Sequence, residues 1–264
     1  MNPVEITTVI VNPSYENSDC NGWEGSVRDL SGLNRTDMVE YYQATFDHYQ
    51  TICGLQAGTY ELQLNCFNRV PSTDAQSDLN SLEAGNKTKV QTAFVYATVG
   101  DKTYAEPFRM ISEGARTSNA LISASCSTIK DGEGNTLYTP NNMQTAGACF
   151  EETDENGEAL SDEQNYLVRV VFTLDATSDV TIGAKNSSNG TWAIWDNWKL
   201  FYFGTSSAKA DSGDATGIEA AEVAGSKAAV AGIYTISGAQ VSTLQKGINI
   251  VRYADGKTEK VLVK

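Results

Sequence analysis

The side chains best suited to holding another molecule here are aromatic rings set beside polar groups. Trp and Tyr faces stack on flat C–H surfaces of a ligand, and Asn, Asp, Arg and Glu pair with its hydroxyls. Trp192 closes the polar stretch NSSNGTW, and that place at the mouth of a loop predicts an exposed ring. Tyr41 and Tyr42 follow Glu40, and Trp23 follows Gly22 at a strand end, where it reads as core or as platform. Arg69 and Arg109 are candidate polar partners, each also suited to a surface ion pair.

Catalytic chemistry finds little to work with. His48 in TFDHYQ is the one histidine, so a Ser-His-Asp or Cys-His centre has a single candidate base. Asp47 is its neighbour, but adjacent residues of a strand point to opposite faces and form no dyad. No G-x-S-x-G elbow, H-E-x-x-H or P-loop occurs. Glycoside hydrolysis needs two carboxylates roughly 5–9 Å apart, and nothing marks one pair among the 33 acidic residues. The expectation is a chain that is not an enzyme.

Charge narrows the partners. Lys and Arg number 19 against 33 Asp and Glu, so 19 − 33 = −14. Such a chain repels phosphate backbones and anionic membrane surfaces, which argues against nucleic acid. No apolar run is long enough for a transmembrane segment. The opening MNPVEITTVI has no basic start and no apolar h-region, which predicts either a cytosolic protein or one whose export signal has been removed. The five cysteines, Cys20, Cys53, Cys66, Cys126 and Cys149, form no CxxC or Cys/His zinc spacing. They read as small buried hydrophobes, or as one or two disulfides in an oxidising compartment.

The elements that must position these residues are strands. Residues 60–66 put Tyr60, Leu62, Leu64 and Cys66 on one face and Glu61, Gln63 and Asn65 on the other. Residues 166–174 group Tyr166, Val168, Val170, Phe172 and Leu174. Segments 93–99, 180–184 and 194–203 also read as strands, separated by Gly turns such as Ala57-Gly58, Gly100-Asp101, Asp131-Gly132 and Asn156-Gly157. In the last strand, spacing places Ile194 with Trp198, Leu200 and Tyr202, and points Trp195 the other way. Polar residues 71–89 leave room for a short helix, 151–164 form an acidic connection, and Asp154-Glu155-Asn156-Gly157 reads as a turn. Residues 204–217 read as a linker. The whole is all-β: an antiparallel β-sandwich over 1–203, then a small C-terminal β domain over 218–264.

Longer motifs carry a resemblance. VNPSYENSDCNGW (11–23), the hairpin within 39–69 and WAIWDNWKL (192–200) resemble the galactose-binding-like jelly rolls. These occur in carbohydrate-binding modules and surface proteins of glycan-degrading Gram-negative bacteria. The tail GIYTISGAQVSTLQKGINIVRYADGKTEKVLVK is similar to the type IX secretion sorting domain. The resemblance implies a secreted or cell-surface, non-catalytic carbohydrate-binding protein whose partner is a glycan. It also implies a structural calcium held by Glu16 of NPSYE and Asp196 of WDNW, where a hard cation would staple the first and last strands. A surface module that adheres to other cell-surface proteins, or a glycoside hydrolase, stands as the alternative.

Overall fold

The protein is described by a computed structural model covering residues 3–87, 90–118, 126–151, 153 and 159–205, with the backbone of 230–235, 240–241, 247–253 and 258–263. The acidic turn at 154–157 lies outside the described residues. The chain divides into two compact units, Met1–Gly213 and Asp214–Lys264. The boundary falls inside the stretch read as a linker.

The first unit is an antiparallel β-sandwich. Its strands are β1 (Val4–Glu5), β2 (Glu24–Gly25), β3 (Val39–Tyr42), β4 (Phe46–Leu55), β5 (Gly58–Arg69), β6 (Ala93–Val99), β7 (Lys102–Pro107), β8 (Arg109–Met110), β9 (Cys126–Lys130), β10 (Thr136–Pro140), β11 (Leu167–Leu174), β12 (Ser178–Asn186) and β13 (Trp192–Tyr202). One six-stranded sheet runs β1-β13-β5-β11, with β3 also on β13 and β8 on β5. The other runs β2-β4-β12-β6-β7. Strands β9 and β10 pair as a separate hairpin. The opening strand β1 lies on the closing strand β13, with Val4 opposite Tyr202, so the two ends of the sandwich are sewn together.

Alternating side chains fill the space between the sheets. Leu62, Leu64 and Cys66 of β5, Val168, Val170 and Phe172 of β11, and Val180, Ile182 and Ala184 of β12 form one continuous buried cluster. Their burial is the main force holding the layers together. Two residues depart from the simple period. Tyr166 has φ 57 and leaves the inter-sheet layer for a second cluster, its hydroxyl donating to the Ile111 carbonyl at 2.8 Å. On β13 the register slips between Asp196 and Lys199. Asn197 there has φ 62, the mark of a bulge. The extra residue puts Trp195 and Trp198 on the same inner face with Leu200, and turns Ile194 outward. The alternation counted from sequence is therefore corrected by one residue.

The outer face of the six-stranded sheet is not bare. Two helices, α1 (Ala75–Glu83) and α2 (Met143–Cys149), pack over one half of it. Asp74 caps α1 by accepting from Gln76 N–H at 2.9 Å and Ser77 N–H at 3.2 Å. Asn142 and Thr145 form a capping box on α2. Their apolar sides, through Leu79, Met143, Ala146 and Phe150, cover Phe67, Trp192 and Ile194. Towards the other half, Glu61, Gln63 and Asn65 are also buried. Arg169 Nη1 and Gln63 Nε2 both donate to Glu61 Oε1, at 2.7 and 2.6 Å. The second unit contributes a four-stranded sheet ordered β15-β14-β16-β17. Its strands are β14 (Val230–Thr235), β15 (Gln240–Val241), β16 (Gly247–Tyr253) and β17 (Thr258–Val263).

Candidate functional site

Tyr42, Trp192 and Arg69 stand in one row across three strands. Trp192 at the start of β13 is the register partner of Tyr42 on β3 and of Arg69 on β5. Directly opposed residues of an antiparallel sheet project on the same side, about 5 Å apart. The row lies at the strand ends, where the chain turns. Gln43, just past Tyr42, has φ 53, a left-handed conformation that costs a non-glycine residue about 1–2 kcal/mol. It is held there by its N–H on the Thr191 carbonyl at 2.8 Å and its Nε2 on Ser72 Oγ at 3.0 Å. Strain of this kind collects where a side chain has to be presented.

The row is graded from wet to dry. Tyr42 is 48% exposed. Trp192 is 2% exposed, which corrects the expectation of an exposed ring. Its edge meets Phe67 at 5.2 Å and its Nε1 donates to Glu40 Oε1 at 2.8 Å. The guanidinium of Arg69 lies 4.5 Å from the Trp192 ring centroid. Loop placement predicted exposure for Trp192, but the helical layer over this half of the sheet covers it. Trp192 is thus covered and Tyr42 open to solvent.

Arg69 is 7% exposed, so it is not a surface ion-pair residue. Its Nε and Nη2 donate to the Ser72 carbonyl, the former at 2.7 Å, and Nη1 donates to Asn141 Oδ1 at 3.2 Å. Burial lowers its pKa. The exposed Asn141 and Gln43 complete a polar rim that the sequence reading did not single out. The Asn141-Asn142 pair ahead of α2 carried a capping signal that would have drawn attention to it.

The remaining aromatic and basic candidates are not brought to this edge. Tyr41 alternates inward from Tyr42 and stacks on Trp195 with centroids 5.8 Å apart and planes at 6°. Its hydroxyl donates to the Ser26 carbonyl, and burial pushes its pKa up to about 12. Trp23 is core: it stacks on His48 at 4.7 Å and donates from Nε1 to the Asn12 carbonyl at 3.1 Å. Arg109 donates from Nε to the Leu167 carbonyl at 3.1 Å and pairs with Glu163 at 3.7 Å, so it serves as a link between strands. Platform roles for Tyr41 and Trp23 are corrected: alternation turns Tyr41 inward, and Trp23, just before β2, packs on His48 and Trp198.

Asp196 sits on the bulge of β13, 7% exposed. Among the described residues its carboxyl accepts from the Asn197 N–H alone, at 2.7 Å. Burial first, then Asp37 and Glu16, push its pKa up to about 8, with Arg35 opposing. Arg35 pairs with Asp37, its Nε on Oδ1 at 2.9 Å, and that bond lowers the Asp37 pKa. Glu16 is exposed but within electrostatic reach of Asp196. A buried carboxylate with one donor, among further acids, has the donor chemistry of a hard cation. Among the described residues no three His, Cys, Asp or Glu side chains form a ready metal cluster. An ion at Asp196 would therefore draw its other ligands from carbonyls and water.

His48 is fully buried on β4. Its Nδ1 faces the Ser26 carbonyl at 3.1 Å and its Nε2 faces the Tyr15 hydroxyl at 3.1 Å. Asp47 points outward and accepts from the Tyr96 hydroxyl at 2.8 Å. Burial lowers the His48 pKa to about 4. All five cysteines are free, with Cys66 and Cys149 buried and Cys53 exposed.

No family model and no curated protein matches the chain. Among solved structures it is similar to TmCBM61 in complex with beta-1,4-galactotriose, at 11% identity and a TM-score of 0.32, over 72% of this chain and 95% of that one.

Proposed function

We propose that the first unit is a non-catalytic carbohydrate-binding module of an exported or cell-surface protein. The observation that carries this reading is the row Tyr42–Trp192–Arg69, which sets an exposed aromatic face beside a guanidinium, with Gln43 and Asn141 on the rim. A sugar ring stacks on Tyr42 and takes hydrogen bonds from the rim. Trp192 supports the site from beneath. A shallow contact of this kind binds in the millimolar to micromolar range, roughly −4 to −8 kcal/mol. A calcium ion at Asp196, with Glu16 nearby, belongs to the same reading and holds the fold without touching sugar. The export part rests on the resemblance of residues 218–264 to a sorting domain.

The test is a glycan array followed by calorimetry on the best ligand, with Tyr42→Ala beside the parent chain. Binding that is lost in the variant supports the site. Ligands bound equally by both proteins place it elsewhere, and an array with no ligand at all removes the reading. Protease accessibility of the protein on intact cells tests the surface location.

A further inference from the structure

Arg69 carries a positive charge that no carboxylate of the described residues answers. The ion pairs of Arg35, Arg109 and Arg169 do not extend to it. Its partners are neutral: the Ser72 carbonyl, the Asn141 amide oxygen and the face of Trp192. The acids near enough to feel it are Asp74 and Asp78 of α1. Neither forms an ion pair with it: Asp74 is on the cap of α1, and Asp78 accepts through Oδ2 from Ser112, whose Oγ donates at 2.6 Å, while its Oδ1 has no partner among the described residues. Glu40 is spent on the indole N–H of Trp192. An arginine has five N–H groups. Nε, one hydrogen of Nη1 and one of Nη2 are used, which leaves one on each terminal nitrogen without an acceptor among the described residues.

A desolvated guanidinium without a counter-ion is costly, and it gains most from a carboxylate that meets its fork with two parallel hydrogen bonds. In a chain of net charge −14, Arg69 is a buried cation without an ion pair among the described residues, set across Trp192 from the exposed ring of Tyr42. We infer that the Tyr42–Arg69 edge binds uronic-acid saccharides, the sugar ring lying on Tyr42 and its carboxylate taking the two open N–H groups of Arg69. This inference rests on the carbohydrate-binding reading and adds the class of ligand.

Removing Arg69 would also release the Ser72 turn, so the test places the missing charge in the protein instead. Asn141→Asp puts a carboxylate where the amide oxygen now meets Nη1. The probes are short oligomers of galacturonic, glucuronic and mannuronic acid, each beside its methyl ester, titrated calorimetrically into the full chain. The inference expects an acid that binds at least about tenfold tighter than its ester. It expects Asn141→Asp to remove that preference while melting no lower than the parent, and Tyr42→Ala to weaken acid and ester alike. Acid and ester bound equally, or a preference that survives in a folded Asn141→Asp, overturns the inference and leaves the glycan reading standing. So does binding confined to neutral sugars on the array. No binding of any saccharide removes both.

Discussion

The Tyr15 hydroxyl donates its proton to Nε2 of His48 across 3.1 Å. The direction follows from its other partners. The indole N–H groups of Trp195 and Trp198 both donate to the same oxygen at 3.0 Å, so the hydroxyl hydrogen is the one group left to reach His48. Nδ1 faces a carbonyl, a pure acceptor, so it carries the proton and Nε2 is bare. One buried chain thus ties the N-terminal loop, the Ser26 loop, β4 and β13 together.

That chain predicts a pH dependence. In the unfolded chain His48 takes up a proton near its ordinary value of 6.5, while in the fold it stays neutral to about 4. Above pH 6.5 the two states are alike in this group. Between 6.5 and 4 the unfolded state alone gains the proton, so stability falls as pH falls, by up to about 3 kcal/mol at this site. Asp78 and Asp196 have raised pKa values, to about 6 and about 8, and act with the opposite sign in overlapping windows. The signature is therefore a difference between two proteins. Thermal melts from pH 8 to 4 should show a smaller loss for His48→Gln than for the parent. Parallel curves would remove His48 as the cause.

On the proposed reading, Tyr42 and Trp192 separate ligand contact from support. Tyr42→Ala removes an exposed ring, so the melting temperature should hold while glycan affinity falls about tenfold or more. Trp192→Ala empties a packed site beneath Arg69 and Phe67. It should cost about 3–5 kcal/mol of stability, read by urea denaturation. Equal stability of the two variants would mean that Trp192 is not the floor of the site.

Asp196 is where the proposed calcium can be tested through fold stability. Its folded pKa of about 8 lies above the ordinary 3.8. The folded state therefore holds a proton through that window, and stability declines as pH rises through it towards 8. Calcium would favour the ionised carboxylate and reverse the decline. At pH 8, calcium should raise the melting temperature of the parent by several degrees, on the order of a 1–3 kcal/mol gain. Asp196→Asn should melt higher than the parent without calcium and gain nothing from it. An unchanged melt of the parent in millimolar calcium would dismiss the ion.

Much of this was legible in the residues. Period-two alternation located β5 and β11, and segments 93–99 and 180–184 fell on β6 and β12; the burial of the polar face of β5 as well was not written in that pattern. The room for a short helix within 71–89 was legible, and α1 lies there. The site was only half legible. Tyr42 and Arg69 are far apart in sequence, and their meeting on either side of Trp192 depends on strand order, which alternation does not encode. The burial of Trp192 depends on α2, whose seven residues are too few to show a helical period.

The bulge on β13 is the device that the period hides, and it can be tested directly. Asn197 lies at φ 62 between two inward tryptophans. The next residue, Trp198, donates its N–H to the Pro13 carbonyl at 3.0 Å, so the bulge also anchors the N-terminal segment. Asparagine tolerates the left-handed region, glycine occupies it freely, and a β-branched residue does so at a cost of more than about 1 kcal/mol. Asn197→Gly should match the parent within a few tenths of a kcal/mol, roughly. Asn197→Val should lose about 1–2 kcal/mol in urea and perturb the near-ultraviolet signal of the buried indoles. If valine costs no more than glycine, the left-handed residue is not what holds Trp195 and Trp198 on one face.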